Sequence, residues 1–410
     1  MQHVKKVVFI SNFMNHHQMP LSLELLRLTN NNYFFIATTP TPEERIDLGY
    51  TDYSNQYPWI VKTYESEFSE KRAIELCEEA DLVICGLGMG SEKYIQSRTD
   101  NNKITFYYSE RVFKQGFIGT ISGKGITVPW PNFVNFKYNK QNWIWKGYKN
   151  IQKYPNVYML CASNYTAGDF ALARMFKNRC YKWGYFPDVI KYDNLNELFD
   201  SKKRNSILWA GRLIDLKHPE YAIRLAKRLK NDGMNFSISL IGDGSLRDTL
   251  EGMIESYDVK DCVHLLGAMD HERVRQYMEN AEIYLFTSNY EEGWGAVLNE
   301  SMNSGCAVVV SDAIGSAGFL INDHENGLLF QNENENDLYK KVKSLLDNSN
   351  ECRRLGLNAY HTLLNEWNPR TAAERILQLS ECLANGQETP FKEGPCSRAE
   401  VIIRGKLFHK

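Results

Sequence analysis

Residues 283–311 read IYLFTSNYEEGWGAVLNESMNSGCAVVVS. The run Ile283 to Ser288 is short and apolar, and suits a buried strand. Glu292-Gly-Trp-Gly295 interrupts it as a loop. Ala296 to Asn303 has helical spacing and stops at Gly305, and Ala307 to Ser311, apolar over Ala307-Val-Val-Val310, is a second strand. Strand, loop, helix and strand in that order form one unit of a parallel α/β sheet, because parallel neighbours need a crossover.

The same rhythm extends in both directions. Before this stretch, strands are expected at Ser206 to Arg212, Phe236 to Ile241 and Val263 to Gly267. Helices are expected at His218 to Leu229, Leu246 to Ser256 and His271 to Glu279. That is a complete doubly wound unit. The first half has strand-like runs at Val7 to Ser11, Tyr33 to Thr38, Asp81 to Gly86, Lys103 to Ser109, Val157 to Ser163 and Cys180 to Phe186. A chain of 410 residues exceeds what one core usually serves. The expectation is α/β throughout, with a Rossmann-like domain over 1–190, a hinge over 191–204 and a second Rossmann-like domain over 205–366. Residues 188–204 are polar and are expected to be irregular. Trp367-Asn-Pro369 opens a final helical stretch, Thr371 to Leu383, and a tail runs to residue 410.

With 43% apolar, 24% charged and 12% aromatic residues, the composition is that of a globular protein, not a disordered or collagen-like one. No run reaches the roughly 18 apolar residues of a spanning helix. The N-terminus enters a strand-like run directly, so a cytoplasmic protein without a leader is expected. Nine cysteines lie far apart, with no Cys-x-x-Cys pair and no zinc spacing, as reduced thiols would. Charge is uneven: residues 101–190 carry 13 Lys/Arg against three Asp/Glu. Within them, residues 130–149 interleave seven aromatic residues with Lys137, Lys140, Lys146 and Lys149. That pattern suits the headgroup region of an anionic membrane, or equally a core-packing helix with a solvated lysine face. No nucleic-acid recognition motif accompanies the charge.

Ligands of open parallel sheets bind beyond the carboxyl ends of the strands. Arg212 and Lys217 follow the first strand of the second half, Gly242-Asp243-Gly244 the second, Gly267 the third, and Glu292-Gly293-Trp294-Gly295 the fourth. An arginine can grip phosphate oxygens with two bonds and a lysine supplies a compact charge, a pair suited to a diphosphate. Glu292 and Glu300 lie at two depths along one loop and helix, and carboxylates accept hydrogen bonds from ribose or sugar hydroxyls. Taken singly, these residues are equally well solvated loop cations and a solvated helix face.

Together they resemble the nucleotide-sugar domain of retaining family 4 glycosyltransferases, which have the GT-B fold of two Rossmann-like domains facing across a cleft. The matching segments are Gly-Arg-Leu-Ile-Asp-Leu-Lys (211–217), Ile-Gly-Asp-Gly (241–244), Leu-Leu-Gly (265–267), Glu-Gly-Trp-Gly-x4-Glu (292–300), Ser-Gly-Cys-Ala-Val-Val-Val-Ser (304–311) and Glu-Asn-Gly-Leu-Leu (325–329). The match is strong over about residues 204 to 330. The resemblance implies that Arg212 and Lys217 hold the diphosphate and that Glu300 holds the ribose. It places Glu292, with Gly293, Trp294 and Gly295, at the donor sugar, and Gly242, Asp243, Gly244 and Gly267 around the nucleotide. It implies retention of anomeric configuration, with the leaving phosphate as base for the acceptor hydroxyl, and neither metal nor cofactor. Residues 367–410 would cross back to pack on the first domain.

The first half departs from the family. Many relatives carry Gly-Gly after the first strand, where this chain has Asn12-Phe-Met-Asn-His-His-Gln-Met-Pro20. A histidine commonly follows an inner strand, where this chain has Glu110-Arg111. His16, His17, Glu110 and Arg111 are therefore the acceptor-side candidates. The histidines could instead pack on the first helix, and Glu110 and Arg111 could pair with each other. The function expected is transfer of a sugar from a nucleoside diphosphate, UDP favoured, to a saccharide or lipid-linked acceptor. Assembly of capsule, exopolysaccharide or O-antigen is the expected setting, with peripheral contact at the inner face of the cytoplasmic membrane. A sugar-nucleotide epimerase and a non-catalytic nucleotide-sugar-binding subunit are the alternatives.

Overall fold

The computed structural model describes residues 5–47, 51–87, 92–112 and 153–402. The basic aromatic stretch 130–149 lies outside them. The chain divides into two compact units, residues 1–188 with 368–410, and residues 189–367.

The first unit holds a seven-stranded parallel sheet: β1 (Val7–Ser11), β2 (Tyr33–Ala37), β3 (Ile60–Lys62), β4 (Leu82–Gly86), β5 (Thr105–Ser109), β6 (Val157–Cys161) and β7 (Cys180–Lys182). Their order is β3-β2-β1-β4-β5-β6-β7, so the direction of winding reverses between β1 and β4. The final helix, Pro369–Ala384, starts at an Asn368 cap and packs on the helix Met19–Leu28. Lys5 ties this helix to the start of β1, donating to Leu377 O at 2.8 Å and pairing with Glu381 at 2.9 Å. The tail then runs antiparallel along β7: Lys182 N donates to Ser397 O at 2.8 Å, and Ala399 N to Cys180 O at 3.1 Å. An open sheet edge would present unpaired amides, and the tail covers them.

The second unit contains β8 (Lys203–Ala210), β9 (Ser237–Ile241), β10 (Val263–Leu265), β11 (Ala281–Phe286), β12 (Ala307–Ser311) and β13 (Leu328–Phe330), all parallel. Their order, β10-β9-β8-β11-β12-β13, puts the reversal between β8 and β11. Every residue of β12 is buried, as a strand covered on both faces should be.

Residues 188–204 are not irregular throughout. Asn194 caps a helix, Leu195–Asp200, by accepting from Glu197 N at 3.3 Å, and β8 already begins at Lys203. The helix buries only Leu198 and Phe199, too few for a readable period, and the exposed Lys203 and Arg204 conceal the strand's start.

Between them stands Lys202, whose ammonium donates to Glu279 O (3.0 Å), Ala281 O (2.9 Å) and Ser304 O (2.8 Å). These carbonyls lie at or just past the C-terminal ends of the helices His271–Asn280 and Val297–Asn303, where a cation is favoured. Burial holds its pKa below the usual lysine value. Lys202→Met should leave these carbonyls unsatisfied and cost about 2–3 kcal/mol, roughly 5–10 °C of melting temperature for a domain this size. Thermal unfolding followed by circular dichroism checks this, and an unchanged midpoint would remove the role.

No described helix is long and apolar enough to cross a membrane. All nine cysteines are free, and all but Cys382 are buried.

Candidate active site

The reversal point between β8 and β11 is where an open parallel sheet forms a ligand crevice. Arg212 lies two residues past β8. A single helical turn, Asp215–Lys217, then carries Lys217, and His218 follows with φ of 48°. From the neighbouring strand, Thr287 Oγ1 donates to Lys217 O at 2.7 Å and accepts from the buried Trp209 Nε1 at 2.9 Å. Asn289 N donates to Leu216 O at 3.0 Å. The two loops are thus stitched together by their backbones.

Across that seam Lys217 Nζ and Glu292 form an ion pair, each side chain mostly buried. Glu292 N donates to Asn289 O at 3.1 Å, which folds the loop back. Gly295 adopts φ +79°, and a Cβ there would lie 2.5 Å from the Phe286 ring, so this turn admits only glycine. Gly242 is under the same constraint: with φ +138°, its Cβ would collide with Gly211 O. Gly242 N donates to Gly267 O at 2.9 Å, so the β8, β9 and β10 loops also meet backbone to backbone. Asp243 Oδ1 accepts from Gly244 N at 2.7 Å, and Arg247, 3.7 Å from Asp243, stands beside Gly267.

Glu300 sits on the helix Val297–Asn303 and is 7% exposed. His271 Nε2 lies 3.2 Å from its Oε1. The structure therefore gathers Lys217 and Glu292 directly, with Arg212 on the same loop, exposed and without an ion-pair partner among the described residues.

The Trp294 side chain is turned into the core. It is fully buried, donates to Asn299 Oδ1 at 2.8 Å and packs against Phe319 and Trp367. Its indole anchors the loop to the core, leaving its backbone as the part available to a ligand. His271 and Lys202 went unnoticed in the sequence because each acts through partners on other elements, which spacing alone does not reveal.

In the first unit, described by itself, Glu110 and Arg111 each meet a residue elsewhere in the fold. Arg111 pairs with the buried Asp169 at 3.3 Å and lies over the Tyr165 ring at 4.7 Å, a structural position. Glu110 instead accepts from Tyr185 Oη at 2.7 Å, and the Tyr185 ring stacks on His17, which abuts His16. His16, His17 and Glu110 thus share one neighbourhood at the carboxyl ends of β1 and β5. Beside them, Ser11 Oγ and Tyr108 Oη lie 2.8 Å apart, and Gln18 Nε2 donates to Tyr108 Oη at 3.2 Å. Burial pushes the Tyr108 hydroxyl up to about 12, so it stays neutral.

Two Rossmann-like units in one chain, with the last helix returning to the first, define the GT-B class. Residues 193–362, which lie within the second unit, match the family model described as glycosyl transferases group 1. The chain is 36% identical over 145 residues to a Campylobacter jejuni enzyme named N-acetylgalactosamine-N,N'-diacetylbacillosaminyl-diphospho-undecaprenol 4-alpha-N-acetylgalactosaminyltransferase, covering 35% of this chain and 38% of that one. A Staphylococcus aureus poly(ribitol-phosphate) alpha-N-acetylglucosaminyltransferase is 25% identical over 192 residues, 47% of this chain and 38% of its own. The chain spans between 38% and 56% of the length of the curated relatives it matches. Among solved structures, Anabaena HepE in complex with UDP superposes with a TM-score of 0.64 at 14% identity, covering 93% of this chain and 100% of HepE. A Rickettsia africae glycosyltransferase does so with 0.62 at 12% identity, covering 92% and 98%. At these identities the likeness is one of fold.

Proposed function

We propose that this protein transfers a sugar from a nucleoside diphosphate, UDP in the first instance, to a saccharide or lipid-linked saccharide acceptor with retention at the anomeric carbon. The observation that carries the reading is the Lys217–Glu292 pair at the β8/β11 reversal, with Arg212 on the same loop as Lys217 and Glu300 on the helix that follows Glu292. Two cations suit a diphosphate, and two carboxylates suit the hydroxyls of a sugar and a ribose. As the bond from anomeric carbon to diphosphate breaks, the electron pair stays on the phosphate oxygen, where Arg212 and Lys217 meet the new charge. The acceptor oxygen bonds to the anomeric carbon, and its proton passes to the leaving phosphate. The chain's own cations supply the charge that a metal would otherwise provide, so the reaction is metal-independent.

Relatives named for undecaprenol-linked and poly(ribitol-phosphate) chemistry support a surface-polysaccharide acceptor, and with it a cytoplasmic location at the inner membrane face. His16, His17 and Glu110 are the groups offered to the acceptor.

Titration with UDP-, GDP- and dTDP-sugars, followed by product analysis with and without a lipid-linked acceptor, tests the reading. Acceptor-dependent glycoside formation, unchanged by EDTA, is expected. Conversion of the donor without acceptor would make the protein an epimerase, binding without turnover would make it a carrier, and loss of activity in EDTA would refute metal independence.

A further inference from the structure

The helix His271–Asn280 holds Glu300 at both ends. At the side chain, His271 Nε2 is 3.2 Å from Oε1. One turn along, on the same face, the buried Arg275 donates to Glu300 O at 3.3 Å, Asn303 Oδ1 at 2.9 Å and Ser304 Oγ at 3.3 Å. Arg275 fixes the backbone that carries Glu300. His271 addresses the carboxylate itself. Its side chain is 57% exposed, so it exchanges protons with solvent, while the carboxylate it touches is almost fully covered. A carboxylate has room for about four hydrogen bonds. The imidazole N–H on Oε1 uses one of these, and two vicinal hydroxyls need two.

We infer that His271 is a positioning residue for the nucleotide's ribose, holding the Glu300 carboxylate in the orientation that receives both hydroxyls, and that its proton sets how strongly this diol is bound. The inference rests on the reading of Glu300 as the ribose ligand. Around His271 stand Glu300 on the facing helix, and Glu272 and Arg275 on its own. The hydrogen bond to Glu300 holds His271 above the usual histidine value. With its proton, the ring presents a fixed, charge-assisted donor to Oε1. Without it, either nitrogen can carry the single N–H and the orientation is no longer enforced. A raised pKa means that this contribution is complete below the ordinary histidine value. It is lost as pH rises through the folded value.

The test is isothermal titration of the full chain with UDP and with 2′,3′-dideoxy-UDP, from about pH 5.5 to about 9. GDP and its dideoxy form replace them if GDP is what the chain binds. The ratio of the two affinities cancels titration of the phosphates. Wild type should prefer the diol by about tenfold or more at the acid end, with the preference declining as pH rises. His271→Ala should lose most of the preference and show no pH dependence. His271→Gln, whose Nε2 is as many bonds from Cα as the imidazole Nε2, should restore the preference without the pH dependence. A wild-type ratio flat with pH, or an unchanged ratio in His271→Ala, would overturn the inference. Glu300→Ala separates the two claims. If it keeps the diol preference, the ribose reading has failed. If it loses the preference while His271→Ala does not, only the role of His271 has. Binding of neither nucleotide would remove both.

Discussion

Glu292→Gln is expected to slow sugar transfer by about 10²–10³-fold while UDP affinity changes by only a few-fold and the melting temperature by a degree or two. The loop is built independently of the carboxylate: Glu292 N bonds to Asn289 O, Gly295 makes the turn against Phe286, and the Trp294 indole is pinned in the core. Glutamine has the same shape, so none of this is disturbed. What it loses is charge. In the structure that charge is balanced by Lys217, and a bound diphosphate would draw Lys217 toward itself, leaving the carboxylate to the donor sugar. Hydrogen bonds from sugar hydroxyls to a charged, water-poor acceptor strengthen as positive charge develops on the ring. Losing about 3–4 kcal/mol there gives the stated factor. UDP lacks the sugar, so its affinity is the control. Measuring kcat/KM with donor and acceptor beside UDP titration decides the matter, and unchanged turnover would end the assignment of Glu292.

The fold of the second unit was legible because its strands are apolar runs separated by helices of ordinary length. β12, Ala307–Ser311, has the bounds expected of it. β3 and β13 were missed, being three residues each, too short to leave a pattern. The helix Leu195–Asp200, within the stretch expected to be irregular, was missed for the related reason that it buries only two side chains. In the site, residues whose roles depend on backbone conformation were readable: Gly242 and Gly295 have no substitute at positive φ. Roles set by a partner on another element were not. Trp294 sits between two glycines of the motif and looks like part of its surface, yet its indole turns inward to Phe319 and Trp367, which only tertiary packing could show. Arg111 is the same kind of case: it meets Asp169, fifty-eight positions away, a partner that no local pattern announces.

Removing the diphosphate cations should have the second large effect, and the two should differ in kind. Arg212→Ala is expected to weaken UDP binding and lower kcat/KM by about 10²-fold, with no loss of stability, since Arg212 is exposed and has no ion-pair partner among the described residues. Lys217→Ala is expected to cost about 10²–10³-fold in kcat/KM and to destabilise slightly, because it strands the mostly buried Glu292 carboxylate. Lys217→Ala combined with Glu292→Gln should then recover the stability but not the activity: the unpaired charge is gone, whereas the leaving phosphate still lacks its cation. Arg212→Lys should restore only part of the loss, a compact ammonium being unable to hold two phosphate oxygens at once. Raising the salt concentration should weaken UDP binding in wild type more than in Arg212→Ala, an exposed cation being screened first. Steady-state kinetics, UDP titration at two ionic strengths and thermal unfolding of the four variants read all of these together. If Arg212→Ala binds UDP within twofold of wild type, the diphosphate is held elsewhere, and the reversal between β8 and β11 is not the donor site.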